Sequence, residues 1–276
     1  DVIEEDGKVY DPFSGSGTTA VEARLAGMNV EANDINPLAC ILTLAKSRPL
    51  DSGVLETAQR KLLDGLEEEL EEVRQNPDKG RETAETEIRD GWFPEPQLQE
   101  LIAIRNRIDA LSEELSAVTD ADEDAVEDIV RFLRVPLSSA SRKISYQRNG
   151  EYKRYRIPAE DREDHNPDVY NAFTSELEEG LERIRRYSKA VDGNLITEVH
   201  YADSRTATEN GEKSVKENSA DIVITSPPYG DHSTTVAYGQ FSQDPAIIAD
   251  ERGYDEMKDV DKKGLGGSYR RGPLES

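Results

Sequence analysis

The chain has 276 residues, enough to bury a substantial core in one or two domains. Acidic residues outnumber basic ones 58 to 34, for a formal net charge of -24, a balance that usually argues against a nucleic-acid partner. One cysteine, Cys40, excludes an internal disulfide, three histidines leave no cysteine-rich zinc site, and no apolar run approaches the roughly 20 residues of a membrane span.

The acids are spread along the chain and arginine outnumbers lysine. This is the composition of a salt-loving, haloarchaeal type of protein, whose acidic surface holds water. In molar salt the screening length is only about 3 Å, so local charge matters more than the net value. A cytoplasmic protein without a signal peptide is expected. The chain starts at Asp1 and enters a strand almost at once, so a fragment of a longer protein is expected.

KVYD (8–11) reads as a short strand running into the glycine-rich turn FSGSG. TTAVEARLA (18–26) has helical spacing, and Gly27 suits a left-handed C-cap. NVEANDI (29–35) reads as a second strand ending near an acid. Strand, glycine turn, helix and strand together open a nucleotide-binding α/β unit.

The character changes from Leu50 to about Ala190. GVLETAQRKLLDGLEEELEEVRQ (53–75) puts Val54, Leu55, Ala58, Leu62, Leu66, Leu70 and Val73 on one helical face. After GWFPEP (91–96), where Trp92 and Phe93 are expected in the core, a second amphipathic helix carries Leu98 to Leu115. A third lies around Val126–Leu133. ISYQRNGEYKRYRI (144–157) predicts a hairpin with Asn149-Gly150 at its tip, the dipeptide favoured by a type I′ turn. A fourth helix spans about 167–188. The α/β pattern resumes with NLITEVHYAD (194–203) and DIVITSPPY (221–229).

DPFSGSGTT (11–19) needs Gly15 and Gly17, because a tight turn brings backbone N–H groups close to a ligand. A P-loop would need a lysine that is absent, and a dinucleotide fingerprint would need a glycine where Thr19-Ala20 stand. In TSPPYG the two prolines end the strand, because they cannot donate to a ladder, and make a stiff corner between Ser226 and Tyr229.

DPFSGSGTT resembles motif I of class I S-adenosylmethionine-dependent methyltransferases, in the form found in amino-methylating DNA methyltransferases. TSPPYG resembles the catalytic motif IV of the same family. The resemblance covers about 1–45 and 194–242. It implies a Rossmann-like class I methyltransferase sheet, of α/β class, interrupted by a mostly helical insertion. The cofactor-binding half is then 1–50, the insertion 51–190, and the catalytic half 191–276.

The resemblance further implies S-adenosylmethionine as cofactor, held by Asp11, Phe13, Gly15, Gly17 and Thr18 of motif I. Asp34 stands where the family's second strand presents an acid to the ribose hydroxyls, and Asp203 where an acid meets the adenine amine. The residues themselves leave plainer roles open: Asp34 as a helix N-cap, Asp203 as a turn residue, Asp11 as the orienter of the turn. Ser226, Pro227, Pro228 and Tyr229 are the catalytic candidates. The hydroxyl of Ser226 and the carbonyl of Pro227 would accept from the amine, and Tyr229 would stack on a base flipped out of the duplex. Such chemistry needs no metal.

The segment 131–156 holds eight basic residues and one acid. Arg142, Lys143, Arg148, Lys153 and Arg154 alternate with tyrosines, as a phosphate-tracking surface requires. The alternative is a hairpin whose arginines pair with nearby acidic helices. The expected reaction is methylation of an exocyclic amine on DNA, cytosine N4 ahead of adenine N6, with an RNA base or a non-catalytic fragment as alternatives. A cognate restriction endonuclease is the implied partner. The insertion lies between the Asp34 and Asp203 strands, a departure from the common family orders. The family's helix ahead of motif I and the later strands of its sheet have no counterpart in the sequence.

Overall fold

The computed structural model describes residues 6–76, 91–148, 154–204, 215–216, 218–226, 238–250 and 260. The fold is α/β and Rossmann-like, as expected. Strands β1 (Lys8–Asp11), β2 (Asn29–Asp34), β3 (Thr197–Tyr201) and β4 (Ile222–Val223) pair in the order β3-β2-β1-β4, all parallel. In register, Val9 lies opposite Val30 and Ile222, and Val30 opposite Thr197.

Strand residues alternate between two unlike faces. Val9, Val30 and Ala32, with Val199 and Ile222, pack on Ala20 and Ala23 of helix α1 (Thr18–Leu25). The opposite face carries Lys8, Tyr10, Glu31, Asn33 and His200. There the buried Glu31 carboxylate is paired with Lys8 Nζ (3.1 Å) and His200 Nε2 (3.3 Å), and the Ser219 hydroxyl donates to it at 3.2 Å. Gly27 follows α1 at φ +79°, the left-handed C-cap expected.

After β2, helix α2 (Pro37–Ser47) leads into the helical region: α3 (Ser52–Leu63), α4 (Leu66–Gln75), α5 (Glu95–Val118), α6 (Glu123–Ile144), the single turn α7 (Ala159–Arg162) and α8 (Val169–Ala190). Part of the acidic excess caps these helices. Asp51, Asp122 and Asp168 accept from backbone N–H groups that open α3, α6 and α8. The apolar stripes meet in one core that includes Leu62, Leu101, Ile108, Ile129, Leu133 and Leu177, with Trp92 and Phe93 as expected. The same core reaches Ala45 of α2 and Ile248 of α9 (Tyr238–Asp250), a helix not foreseen from sequence.

Two helices differ from expectation. The single helix over 53–75 is two, broken at Asp64-Gly65, with Gly65 at φ +69°. Arg107 of α5 holds the break open by donating to the carbonyls of Lys61 (3.1 Å) and Asp64. The third helix runs on through Pro136 to Ile144, because Leu137, Ala140 and Ile144 extend its buried stripe. The hairpin begins only after that helix. Arg148 N donates to Tyr155 O at 2.8 Å and Ile157 N to Tyr146 O at 2.7 Å, and the expected tip, Asn149-Gly150, lies outside the described residues. Among the described residues, no helix is long and apolar enough to cross a membrane.

Candidate functional site

Successive strands are added on one side of β1 (β2, then β3) and then on the other (β4). In open parallel sheets this reversal opens a crevice at the carboxyl ends of the strands, where ligands bind. The candidate residues lie at that edge. Asp11 through Thr18 leave β1, Asp34 ends β2, Asp203 follows β3 by two residues, and Ser226 follows β4 by three.

The turn after β1 is built by short hydrogen bonds. Asp11 Oδ1 accepts from Phe13 N at 3.1 Å, Gly17 N donates to Ser14 O at 2.8 Å, and Ser14 N to Asn33 O at 3.0 Å. Asp11, almost fully buried, thus orients the turn, the plainer of its two expected roles. Gly15 and Gly17 have φ of +53° and +83°, so both need glycine for conformation. They differ in surroundings. A Cβ on Gly15 would meet nothing nearer than 3.8 Å, which leaves the crevice side open. A Cβ on Gly17 would lie 2.8 Å from Thr43 Cα, so this glycine lets α1 approach α2. Lys46 of α2 donates to Ser16 O at 3.0 Å, and burial, aided by Arg183, holds its pKa below the usual lysine value.

Asp34 is not the helix cap. Asn36 caps α2, accepting from Leu38 N at 3.1 Å. Asp34 instead accepts from Gly15 N (2.9 Å, Oδ2) and Asn36 N (2.8 Å, Oδ1). Burial raises its pKa above the usual carboxylate value; backbone N–H bonds from Asn36, Gly15 and Ile35 work in the opposite direction but do not cancel it. Among the described residues, the buried Ser14 hydroxyl has no partner. An open Gly15, an orphaned Ser14 hydroxyl and an acceptor carboxylate at strand two fit a ligand bearing hydroxyls and an amine. Phe13 and Thr18 are exposed beside them.

Sequence reading missed Asn33. Its side chain, fully buried, donates to Pro12 O (3.1 Å), Ala202 O (3.4 Å) and Ser204 Oγ (2.9 Å), and accepts from the Tyr10 hydroxyl. Ser204 also donates to Pro12 O. One amide therefore ties the loops after β1 and β3 and holds the half-buried Asp203 near the turn. The available signal was an amide inside a strand, where such residues are disfavoured without partners.

Ser226 is exposed beyond the last ladder bond, Ile224 N to Tyr10 O at 3.0 Å. Pro227, Pro228 and Tyr229 lie outside the described residues, as does Lys153. Of the basic candidates, Arg142, Lys143 and Arg148 are exposed around the end of α6, with Lys143 also paired to Glu176 at 2.7 Å. Arg154 is a correction. Its side chain is buried against the fully buried Asp244 and stacks over the Trp92 ring at 3.7 Å, so it does not face solvent where a phosphate would lie. Glu31, Glu198 and His200 lie close enough together to hold a cation, but Lys8 already neutralises Glu31.

No protein-family model matches the chain, and no solved structure matches it. The chain is 32% identical, over an alignment of 272 positions that covers 94% of the chain, to the type II methyltransferase M.MvaI of Kocuria varians, and it spans about half (55%) of that protein's length.

Proposed function

We propose that this chain carries the cofactor site and the catalytic motif of a DNA amino-methyltransferase of a type II restriction–modification system, and that its target is cytosine N4. The observation that carries the reading is the convergence of Asp11–Thr18, Asp34, Asp203 and Ser226 on one sheet edge at the strand-order reversal. The similarity to a type II methyltransferase points the same way.

S-adenosylmethionine, when bound, supplies an electrophilic methyl group. Asp34 would hold it by accepting from its ribose hydroxyls, and Asp203 by accepting from its adenine amine. The motif I turn, with the Ser14 hydroxyl inside it, receives the remaining polar part. On the substrate side, an exocyclic base nitrogen is a poor nucleophile because its lone pair is delocalised. The Ser226 hydroxyl and Pro227 carbonyl accept from its N–H groups, which favours a more tetrahedral nitrogen as the new bond forms. The prolines keep that carbonyl in place, and Tyr229 stacks on the flipped base. In-line positioning supplies much of the rate. A short neutral hydroxyl at 226 suits cytosine, because it accepts from N4 without setting a full negative charge beside the N3 and O2 acceptors.

Exposed Arg142, Lys143 and Arg148, with Lys153 beyond them, track the DNA backbone. Labelled cofactor with matched DNA and RNA, followed by digestion to nucleosides and mass spectrometry, tests the reading. N4-methylcytosine is expected. N6-methyladenine as sole product removes the cytosine assignment, RNA as sole acceptor removes DNA, and cofactor binding without transfer removes the enzyme. Tyr229→Ala should cut methyl transfer by about 1–3 kcal/mol of lost stacking while cofactor affinity holds. An equal loss of cofactor affinity would displace the ring from the base.

A further inference from the structure

Helix α2 lies against the motif I turn. Thr43 and Lys46, three residues apart and so on one face of the helix, both reach it. Gly17 sits so close to Thr43 that only a glycine fits there. Lys46 Nζ donates to the Ser16 carbonyl at 3.0 Å. The peptide joining Ser16 to Gly17 is therefore fixed at both ends, because its N–H donates to Ser14 O at 2.8 Å. In the same turn, Gly15 N meets the Asp34 carboxylate at 2.9 Å. The helical insertion braces α2 in its place. The Tyr187 hydroxyl of α8 donates to Ser47 O at 2.8 Å, Leu50 N donates to Ser188 Oγ at 2.9 Å, and Ala45 enters the insertion core.

The charge on Lys46 is unbalanced. In a chain of net charge -24, it has no carboxylate partner among the described residues. Its charged neighbour is Arg183 of α8, which is itself paired with Glu179. Burial and Arg183 both disfavour the ammonium, whereas an anion docking beside it would favour it. Tethering one carbonyl needs only a donor, so the charge is surplus to that need. S-adenosylmethionine carries one carboxylate, at its amino-acid end, and its other polar groups are neutral or cationic.

We propose that Lys46 is a positioning residue for the amino-acid end of the cofactor: it fixes the Ser16–Gly17 peptide and sets a positive charge beside the motif I turn, where the cofactor carboxylate docks. This rests on the function proposed above and deepens it by naming the end of the cofactor that the turn receives. It also gives the insertion a part in the cofactor site, since α8 braces the helix that carries Lys46.

The test uses the full chain and two ligands that share the adenosine thioether: S-adenosylhomocysteine, which has the amino-acid carboxylate, and methylthioadenosine, which lacks it. Calorimetry reads both affinities in Lys46→Met, which keeps the stem and removes the charge, and in Lys46→Arg, which keeps charge and donors. Circular dichroism checks folding, and Lys46→Gln serves, with the same expectation, if Lys46→Met does not fold. In Lys46→Met, S-adenosylhomocysteine should bind about 10-fold more weakly, the scale of one lost charge-assisted contact, while methylthioadenosine stays within about twofold. Lys46→Arg should recover most of the loss. Equal losses for the two ligands, or no loss for S-adenosylhomocysteine, overturn the inference alone. A wild-type chain that binds neither ligand overturns the proposed function, and this inference with it.

Discussion

The helical insertion buries long aliphatic side chains in one continuous cluster, from Leu50 and Leu55 in and before α3 to Leu181 and Ile184 in α8. The buried cluster on the sheet is small by comparison: Val9, Val30, Ala32, Ala20 and Ala23. The sheet instead places polar groups in its interior, with Asn33, Glu31 and Asp11 all nearly inaccessible and each hydrogen-bonded or ion-paired. The contrast follows from what each region has to hold. Helices satisfy their own backbone and need only a buried stripe. Strand ends that present a site have irregular backbone on both sides, whose N–H and carbonyl groups need named partners. Rigidity in the insertion comes from packing, and rigidity at the site from directed hydrogen bonds.

The largest effect should come from the packed side. Leu133→Ala, at a position with 0% exposure, should cost about 2–5 kcal/mol in chemical denaturation. The core runs from Ala45 to Ile248, so loss of α2 and α9 signals should coincide with loss of the insertion. Separate transitions would divide the chain into two independent units and break the comparison.

On the sheet side, Asn33→Ala should cost about 1–3 kcal/mol by leaving the Tyr10 hydroxyl and the Pro12 and Ala202 carbonyls short of a partner. Its sharper signature is functional. Cofactor affinity by calorimetry should fall with stability, whereas in Leu133→Ala it should hold at temperatures where the chain stays folded.

Asp34 should make cofactor binding pH-dependent. Burial raises its pKa, so it takes up a proton at a higher pH than an ordinary carboxylate. Affinity should therefore fall as pH drops through that raised value, because the neutral acid loses acceptor strength. The acid limb should be missing in Asp34→Asn, whose affinity is weak and flat. A wild-type affinity that does not fall as the pH is lowered would remove Asp34 from the site.

The smallest structural effect should be at Lys143→Ala. The Lys143–Glu176 pair is exposed on the lysine side, and such pairs contribute at most about 1 kcal/mol. DNA binding, though, should weaken, with the slope of log affinity against log salt reduced by about 1. An unchanged slope would leave the insertion as scaffold only.

What sequence determined by itself was local. The DPFSGSG turn, the Gly27 cap, the amphipathic stripes of α5 and α8 and the placement of Trp92 and Phe93 in the core all follow from signals within a few residues: glycine at positive φ, helical periodicity, large aromatic area. Tertiary structure decided what depends on groups far apart in the chain. The break at Gly65 needs Arg107 from α5 to take the freed carbonyls. The continuation of α6 past Pro136 needs a core for Leu137 and Ile144 to enter. Asp34 became an acceptor and not a cap because Asn36, two residues on, took that position, and because Gly15, 19 residues earlier, turned its N–H toward it. Arg154 read as one of a row of surface cations, since no local pattern announces a carboxylate 90 residues away. Backbone preferences act between neighbours, whereas the partner of a buried charge is chosen by whichever element the fold brings against it.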